Sequence, residues 1–380
     1  MKQALELEAA KRTPVRVLVA DPSAVVRTAV RRMLESDEGV QVIGTAQDGQ
    51  EAVEKTRTLR PDVVALDIHM NRHRGVKVLR EITQRCARPV VMLSEASSEA
   101  AEETLQALDE GAFDYAPKQL SGDPREMARL RYELVSKVKA AARARRQRAN
   151  GAIVAAWPRP EQVHPEIVPI VICIGSSTGG PRALQQLLPH LPADLPASVL
   201  LVQHMPQGFT GPFARRFDSL CAMEVREARS EDAIEPGVVL IAPSGWHMAV
   251  YARQSSSAAV RLSKSPENLL HRPSVDVLMS SAAATFRDAC MGIILTGMGA
   301  DGARGMKAIY EAGGITLGQD EGSCAVYGMP RSCAELGVLQ RTVPLSAIRR
   351  EILLATRYEG SEKNCVAAGK TGPAAGKELR

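Results

Sequence analysis

Short apolar runs alternate with helix-period segments from residue 15 to residue 118. That alternation is what βα units around a parallel sheet leave in a sequence. Strands are expected at residues 15–20, 40–46, 62–66, 89–93 and 113–116. Between the first two, Val25, Val26, Ala29, Val30, Met33 and Leu34 recur at i, i+1, i+4, i+5, i+8 and i+9. They form one apolar helix face about three turns long, with Ser23 placed to cap it. Five such units in roughly 110 residues have the size of one flavodoxin-like domain.

A second alternation begins at Val168. Residues 168–174 are a nearly continuous apolar run, as expected of a strand covered on both faces. Residues 198–203, 238–242, 292–296 and 314–317 read similarly, with helices expected at 181–188, 275–286 and 303–311. Residues 247–251 and 259–262 suit an antiparallel hairpin or edge pair. The expected fold class is therefore α/β: an N-terminal flavodoxin-like domain with a five-stranded parallel sheet, then a doubly wound α/β domain with an antiparallel edge pair.

Between the halves the pattern breaks. Residues 125–148 hold nine Lys or Arg (125, 129, 131, 137, 139, 143, 145, 146, 148) against Glu126 and Glu133, and apolar spacing fades after Val138. This reads as a last helix running out into a solvated linker. Pro158, Pro160 and Pro165 then mark an extended connection. Beyond about residue 357 the chain turns to Lys, Gly and Ala, and a disordered tail is expected. The divisions are an N-terminal extension at 1–13, a first domain at 14–124, a basic linker at 125–166, a second domain at 167–356 and a tail at 357–380.

Composition adds limits. Aromatics are only 3% of 380 residues against 45% hydrophobic, so aliphatic side chains must fill both cores. Lys and Arg exceed Asp and Glu by 48 to 43, too small an excess to imply a polyanion partner. Nucleic-acid binding through the Arg-rich stretch is a possible reading, but no recognition-helix module follows it. Seven scattered cysteines (86, 173, 221, 290, 324, 333, 365) without a C-x-x-C pair argue against a disulfide framework or zinc cluster and fit a reduced cytosolic compartment. The N-terminus is too charged for a signal-peptide core, and no apolar run approaches the ~20 residues that span a bilayer. A cytoplasmic chain without membrane insertion is expected.

Open α/β sheets bind ligands at the carboxyl ends of their strands, which directs attention to Asp21, Asp67, Ser94 and Lys118. Two carboxylates, a hydroxyl and an ammonium meeting there suit Mg²⁺ and a phosphoryl group. Singly each is weak, since an Asp after a strand is more often a cap or turn residue. In the second domain Gly175-Ser176-Ser177-Thr178-Gly179-Gly180 follows a strand directly, with Pro181 suited to the first helical turn. Such a loop can cradle a phosphate or present a nucleophile beside N–H donors. No Lys follows it and no G-x-S-x-G is present, so it is neither a P-loop nor the usual hydrolase elbow. His204 comes immediately after another strand, and Asp301 lies in Gly297-Met298-Gly299-Ala300-Asp301-Gly302 after a third. If those strands are parallel neighbours, Ser, His and Asp converge into a triad. The same loop is also a literal G-x-G-x-x-G with Asp320 18 residues beyond, the spacing of a dinucleotide-binding oxidoreductase. That reading leaves His204 and the Ser176-Ser177 loop unexplained.

The segments RVLVADPSAVVR, PDVVALDIHM, RPVVMLS and GAFDYAPK resemble the receiver domain of two-component response regulators. The resemblance implies Asp67 as phospho-acceptor, Ser94 and Tyr115 as switch residues, Lys118 as the phosphate-contacting lysine, and Asp21 with Asp67 as Mg²⁺ ligands. Pro22 stands where receivers usually carry a second acid, His69 where the methylesterase branch often has Glu, and 71–75 replaces the usual Pro-x-x-Asp-Gly. Weak metal binding and slow or absent phosphorylation are therefore expected. IGSSTGGP, LVQHMPQGFTGPFARR, LIAPSGWHM, HRPSVDVLMSS and ILTGMGADGARGM, in this order after a receiver, resemble the chemotaxis protein-glutamate methylesterase family. That resemblance implies Ser177, rather than Ser176, as nucleophile, His204 as base, Asp301 as its orienter, Thr178 beside the nucleophile and the Met298 N–H at the oxyanion. It further implies hydrolysis of γ-glutamyl methyl esters on methyl-accepting chemotaxis receptors, deamidation of receptor glutamines, no cofactor for catalysis, and phosphorylation by the chemotaxis histidine kinase.

Overall fold

A computed structural model describes residues 13–70, 75–95, 97–118, 123–149, 170–253 and 257–359. The chain divides into two compact units near residue 159. The proline-marked connection, most of the N-terminal extension and tail, and the departure at 71–74 lie outside the described residues.

The first unit is a five-stranded parallel sheet in the order β2-β1-β3-β4-β5. Its strands are β1 (Val15–Ala20), β2 (Val40–Ala46), β3 (Val63–Asp67), β4 (Val90–Ser94) and β5 (Asp114–Pro117), and its helices α1 (Ala24–Glu35), α2 (Gly49–Leu59), α3 (Gly75–Cys86), α4 (Ser98–Asp109) and α5 (Pro124–Ala149). Ser23 caps α1 as expected, its hydroxyl accepting the Val26 N–H at 3.4 Å. Only Val30 and Leu34 of the expected apolar face are fully buried, and Val25 is exposed. The last three strands sit one residue later than the pattern suggested, so Asp67 and Ser94 are their strands' final residues rather than the residues beyond them.

The larger correction concerns the basic run. Residues 125–149 are not a solvated linker but the body of α5, which packs along the sheet and buries Leu134, Val135, Val138, Ala140, Ala141 and Ala142. The alanines continue the apolar face without looking like one. The cations reach carboxylates of their own unit: Lys139 Nζ to Asp37 at 2.6 Å and Arg145 Nη1 to Asp62 at 2.8 Å. Long aliphatic stems let these side chains cover apolar surface while the charge finds a partner.

The second unit is a seven-stranded parallel sheet ordered β14-β13-β12-β6-β7-β9-β8, with an antiparallel pair β10-β11 beside it. The strands are β6 (Val171–Ser176), β7 (Ser198–Gln203), β8 (Glu224–Glu227), β9 (Val238–Ile241), β10 (His247–Ala252), β11 (Ala258–Ser263), β12 (Cys290–Ile294), β13 (Ile315–Gln319) and β14 (Arg341–Val343). The helices are α6 (Gly180–Leu187), α7 (Thr210–Leu220), α8 (Val275–Phe286), α9 (Ala303–Glu311), α10 (Met329–Glu335) and α11 (Leu345–Ala355). Every residue of β6, β7 and β12 is buried, which is why these strands read as apolar runs. From β6 the chain steps outward one way through β7 and β9, and the other way through β12, β13 and β14. The crevice beyond the carboxyl ends of β6 and β12 is therefore the switch point where open α/β sheets bind ligands.

Candidate active site

In the parallel pair β6-β7, Ser176 lies opposite Gln203. Opposed residues share a face and the next residue of each strand takes the other face. Ser177 and His204 therefore leave their strands at one level and on one side, tied by the His204 N–H to Ser176 C=O bond at 3.0 Å. Asp301 arrives from the β12–α9 loop, and its Oδ2 lies 2.8 Å from His204 Nε2. The two side chains are 7% and 11% exposed.

The Asp301 carboxylate is held from four directions. Oδ2 also accepts the Val275 N–H at 2.8 Å, while Oδ1 accepts the Ser274 hydroxyl at 2.7 Å and the Asp276 N–H at 3.1 Å. It thus sits on the N-terminus of α8, where backbone dipoles favour an anion. Burial opposes its charge, but the hydrogen bond and charge of His204 and the two backbone N–H groups outweigh that and hold it well below the ordinary carboxylate range. With Nε2 turned to a carboxylate, Nε2 carries the imidazole proton and Nδ1 is left as the basic nitrogen. Nδ1 is buried and has no hydrogen-bond partner.

Ser177 is half-buried at the mouth of the crevice, and its hydroxyl bonds to no described residue. Ser176 is fully buried, its hydroxyl donated to Gln203 Oε1 at 2.6 Å. Beside Ser177 runs the loop after β12. The Gly297 N–H donates to Val326 C=O at 3.0 Å, and its carbonyl accepts from Gly328 and Met329 at 3.0 and 2.9 Å. Both polar groups of Gly297 are thus fixed, while the next N–H, of Met298, donates to no described residue. Thr178 is buried, its carbonyl held by the Thr296 hydroxyl at 3.0 Å.

In the first unit, Lys118 Nζ reaches Asp67 Oδ1 and Oδ2 at 2.9 and 3.0 Å and lies 4.0 Å from Asp21 Oδ2. Asp21 is buried and its Oδ2 has no hydrogen-bond partner. Burial first, then the charge of Asp67, push its carboxyl up to about 6. At the position of the missing acid, the Arg27 guanidinium donates to the carbonyls of Asp21 and Pro22 at 2.7 and 2.9 Å. His69 pairs with Glu103 at 3.5 Å. The Ser94 hydroxyl makes no hydrogen bond to Asp67: it donates to Glu95 C=O and accepts from the Thr104 hydroxyl at 2.8 Å. Tyr115 is buried, with Lys137 over its ring.

Residues 172–352 match the CheB methylesterase family and residues 17–129 the response regulator receiver domain. A protein-glutamate methylesterase/protein-glutamine glutaminase of Symbiobacterium thermophilum is 44% identical over 355 residues, covering 90% of this chain and 97% of the relative. The chain belongs to this methylesterase family. A second member, from Geobacter sulfurreducens, is 42% identical over 353 residues, with 89% and 96% covered. The crystal structure of the Thermotoga maritima CheB methylesterase catalytic domain is 37% identical with a TM-score of 0.48, covering 49% of this chain and 98% of that one.

The dinucleotide reading of GMGADG is not supported, and the methylesterase fold shows why physically. A pyrophosphate would need the N-terminus of α9, but Asp276 Oδ1 already accepts the Gly302 and Gly305 N–H groups, both at 2.9 Å, and Oδ2 pairs with Arg304. Asp276, Ser274, His271 and His247 all lie in the segments HRPSVDVLMSS and LIAPSGWHM, but residue type and spacing assign them no role. His271 stacks on His204 with ring centroids 4.1 Å apart. Buried His247 accepts the Ser274 N–H on Nδ1 at 3.2 Å and donates from Nε2 to Pro266 C=O at 3.1 Å. Ser274 alone also fits a local structural signal, a serine opening an apolar helix.

Gly297 is required by close approach. A Cβ there would lie 2.9 Å from Ser177 Cβ and drive into the Met329 sulfur. Gly297→Ala should lower ester turnover by about 100-fold, because a shift of about 1 Å in a reacting group has that effect. Steady-state kinetics with a circular-dichroism check of folding would test it, and a rate within a few-fold of wild type would contradict it.

Proposed function

We propose that this chain demethylates γ-glutamyl methyl esters, and deamidates glutamines, on methyl-accepting chemotaxis receptors in the cytoplasm, with Ser177 as nucleophile, His204 as base and Asp301 as its orienter. The observation that carries this reading is the orphaned, buried Nδ1 of an imidazole whose Nε2 is fixed on a carboxylate. Ser177 Oγ attacks the ester carbonyl while Nδ1 takes its proton. The oxygen that gains negative charge faces the Met298 N–H, beside Thr178, on a backbone already ordered by Gly297. Collapse expels methoxide, which leaves as methanol with the proton from His204. Water, deprotonated by the same nitrogen, then releases the glutamate carboxylate and frees Ser177. With glutamine the leaving group is ammonia. Among the described residues no helix is long and apolar enough to cross a membrane.

The receiver would supply control, with Asp67 as phospho-acceptor for the chemotaxis histidine kinase, Lys118 on the phosphoryl group, and Ser94 and Tyr115 as switch residues. Asp21, with its unsatisfied Oδ2, and Asp67 fit one Mg²⁺ with water completing the shell. The ion would neutralise charge on the incoming phosphoryl group. Pro22 provides no third carboxylate, and Arg27 and Lys118 already offset the acids, so metal binding is weak. Mg²⁺ should bind less tightly still below about pH 6, where protons compete for Asp21. In a Mg²⁺ titration with a small phosphodonor, mass spectrometry should show substoichiometric phosphorylation at low millimolar metal, and full labelling there would refute this. Methanol release from methylated receptor membranes, with and without phosphodonor, tests the whole reading.

A further inference from the structure

Buried between the Ser177 and His204 turns is the side-chain amide of Gln203, 2% exposed. Its Nε2 donates one hydrogen to the carbonyl of Ser177 at 3.0 Å and the other to the carbonyl of His204 at 2.9 Å. Its Oε1 accepts the Ser176 hydroxyl at 2.6 Å. Every polar atom is satisfied, and the reversed amide is ruled out because it would set Oε1 against two carbonyl oxygens. We propose that Gln203 is a positioning residue for the hydrolysis: one rigid amide sets the separation of nucleophile and base, and the Ser176 hydroxyl anchors its far end.

This inference rests on the assignment of Ser177 and His204 as nucleophile and base. The β6-β7 backbone ladder ends with the His204 N–H to Ser176 C=O bond, and beyond it the two chains turn apart. Gln203 acts as one further rung, made from a side chain, that bridges the residue bearing the hydroxyl and the residue bearing the imidazole. Position 180 shows how closely the amide is packed, since a Cβ on Gly180 would collide with Gln203 Oε1. The planar NH₂ group fixes the direction of both carbonyls as well as their distance. Buried, fully satisfied polar networks of this kind specify one arrangement of the groups they join. The Ser176 hydroxyl, which the Gly-Ser-Ser sequence makes look like a second nucleophile, is thereby given a distinct role.

The test uses the full-length chain and the variants Gln203→Met, which keeps length but donates nothing, and Ser176→Ala. Three quantities are read: kcat and KM for methanol release, the rate of labelling by a fluorophosphonate, and melting temperature. Gln203→Met should lower kcat and labelling about 10- to 100-fold with KM within about twofold. Ser176→Ala, which removes the hydroxyl that anchors Gln203 Oε1, should lower both about fivefold. A variant that melts earlier but keeps wild-type kcat and labelling would reduce Gln203 to a structural role and overturn the proposal. Should Gln203→Met not fold, Ser176→Ala decides alone by the same criterion. Ser177→Ala separates the two levels: if it still labels, the nucleophile assignment has failed, whereas if it is silent and Gln203→Met labels normally, only the present inference has failed.

Discussion

Ser177→Ala should cut methanol release from methylated receptors by at least about 10⁴-fold while leaving the melting temperature nearly unchanged. The hydroxyl is half-buried and bonds to no described residue, so its removal orphans no buried partner and opens no core cavity. Catalysis, by contrast, loses the atom that forms the acyl bond in the proposed mechanism. The neighbouring hydroxyl is no substitute, because Ser176 is sealed from solvent and committed to Gln203. What remains should be polarisation of the ester by the Met298 N–H and the pocket around it. Residual activity within tenfold of wild type would remove Ser177 from the mechanism, and intact-mass trapping of the acyl-enzyme would identify the true nucleophile.

Asp301→Asn should affect rate and stability together. The carboxylate accepts four hydrogen bonds, from His204, Val275, Ser274 and Asp276. An amide has one accepting oxygen, so its NH₂ must face donors on one side or the other. Facing His204, it forces the proton onto Nδ1 and removes the base of the proposed mechanism, at about 10⁴-fold in kcat. Facing Ser274 and Asp276, it opposes buried donors at about 1–3 kcal/mol each. Calorimetry should therefore show a lower melting temperature at neutral pH. The sign with pH follows from the depressed carboxyl. Its stabilisation is complete above the ordinary unfolded value of about 4 and fades as pH falls toward the lower folded value. The gap between wild type and Asp301→Asn should thus narrow in acid, and a constant gap would contradict the assigned ionisation.

Much of this site was legible in the sequence because buried parallel strands announce themselves as apolar runs and chemistry collects where they end. Ser177, His204 and Asp301 each follow such a run, and the structure brings the last two into contact. Charge misled in α5, where Ala140, Ala141 and Ala142 bury a face that a hydrophobic count passes over. Strands β8 and β14 were missed for a related reason: they are short edge strands carrying Glu224, Arg226 and Arg341, which look like loop. G-x-G-x-x-G records only that a helix begins with small residues. Whether its N–H groups take a ligand's phosphate or an internal carboxylate is decided at Asp276, 26 residues before Gly302. Gln203, Ser274 and His247 gain their roles from strand register and loop packing, which residue spacing does not encode.

The level exit of Ser177 and His204 from neighbouring strands also determines where this chain can change length. Their separation depends on the sheet's own repeat, about 4.8 Å between strands, and on the Gln203 bridge across the strand ends, not on the connection that runs from α6 to Ser198. Residues can be inserted or deleted in that connection over evolutionary time without moving either group. A single residue gained or lost inside Ser198–Gln203 is another matter: it would rotate the imidazole to the face of Ser176 and leave Ser177 without a base. Loop growth is neutral to this chemistry, and strand growth abolishes it.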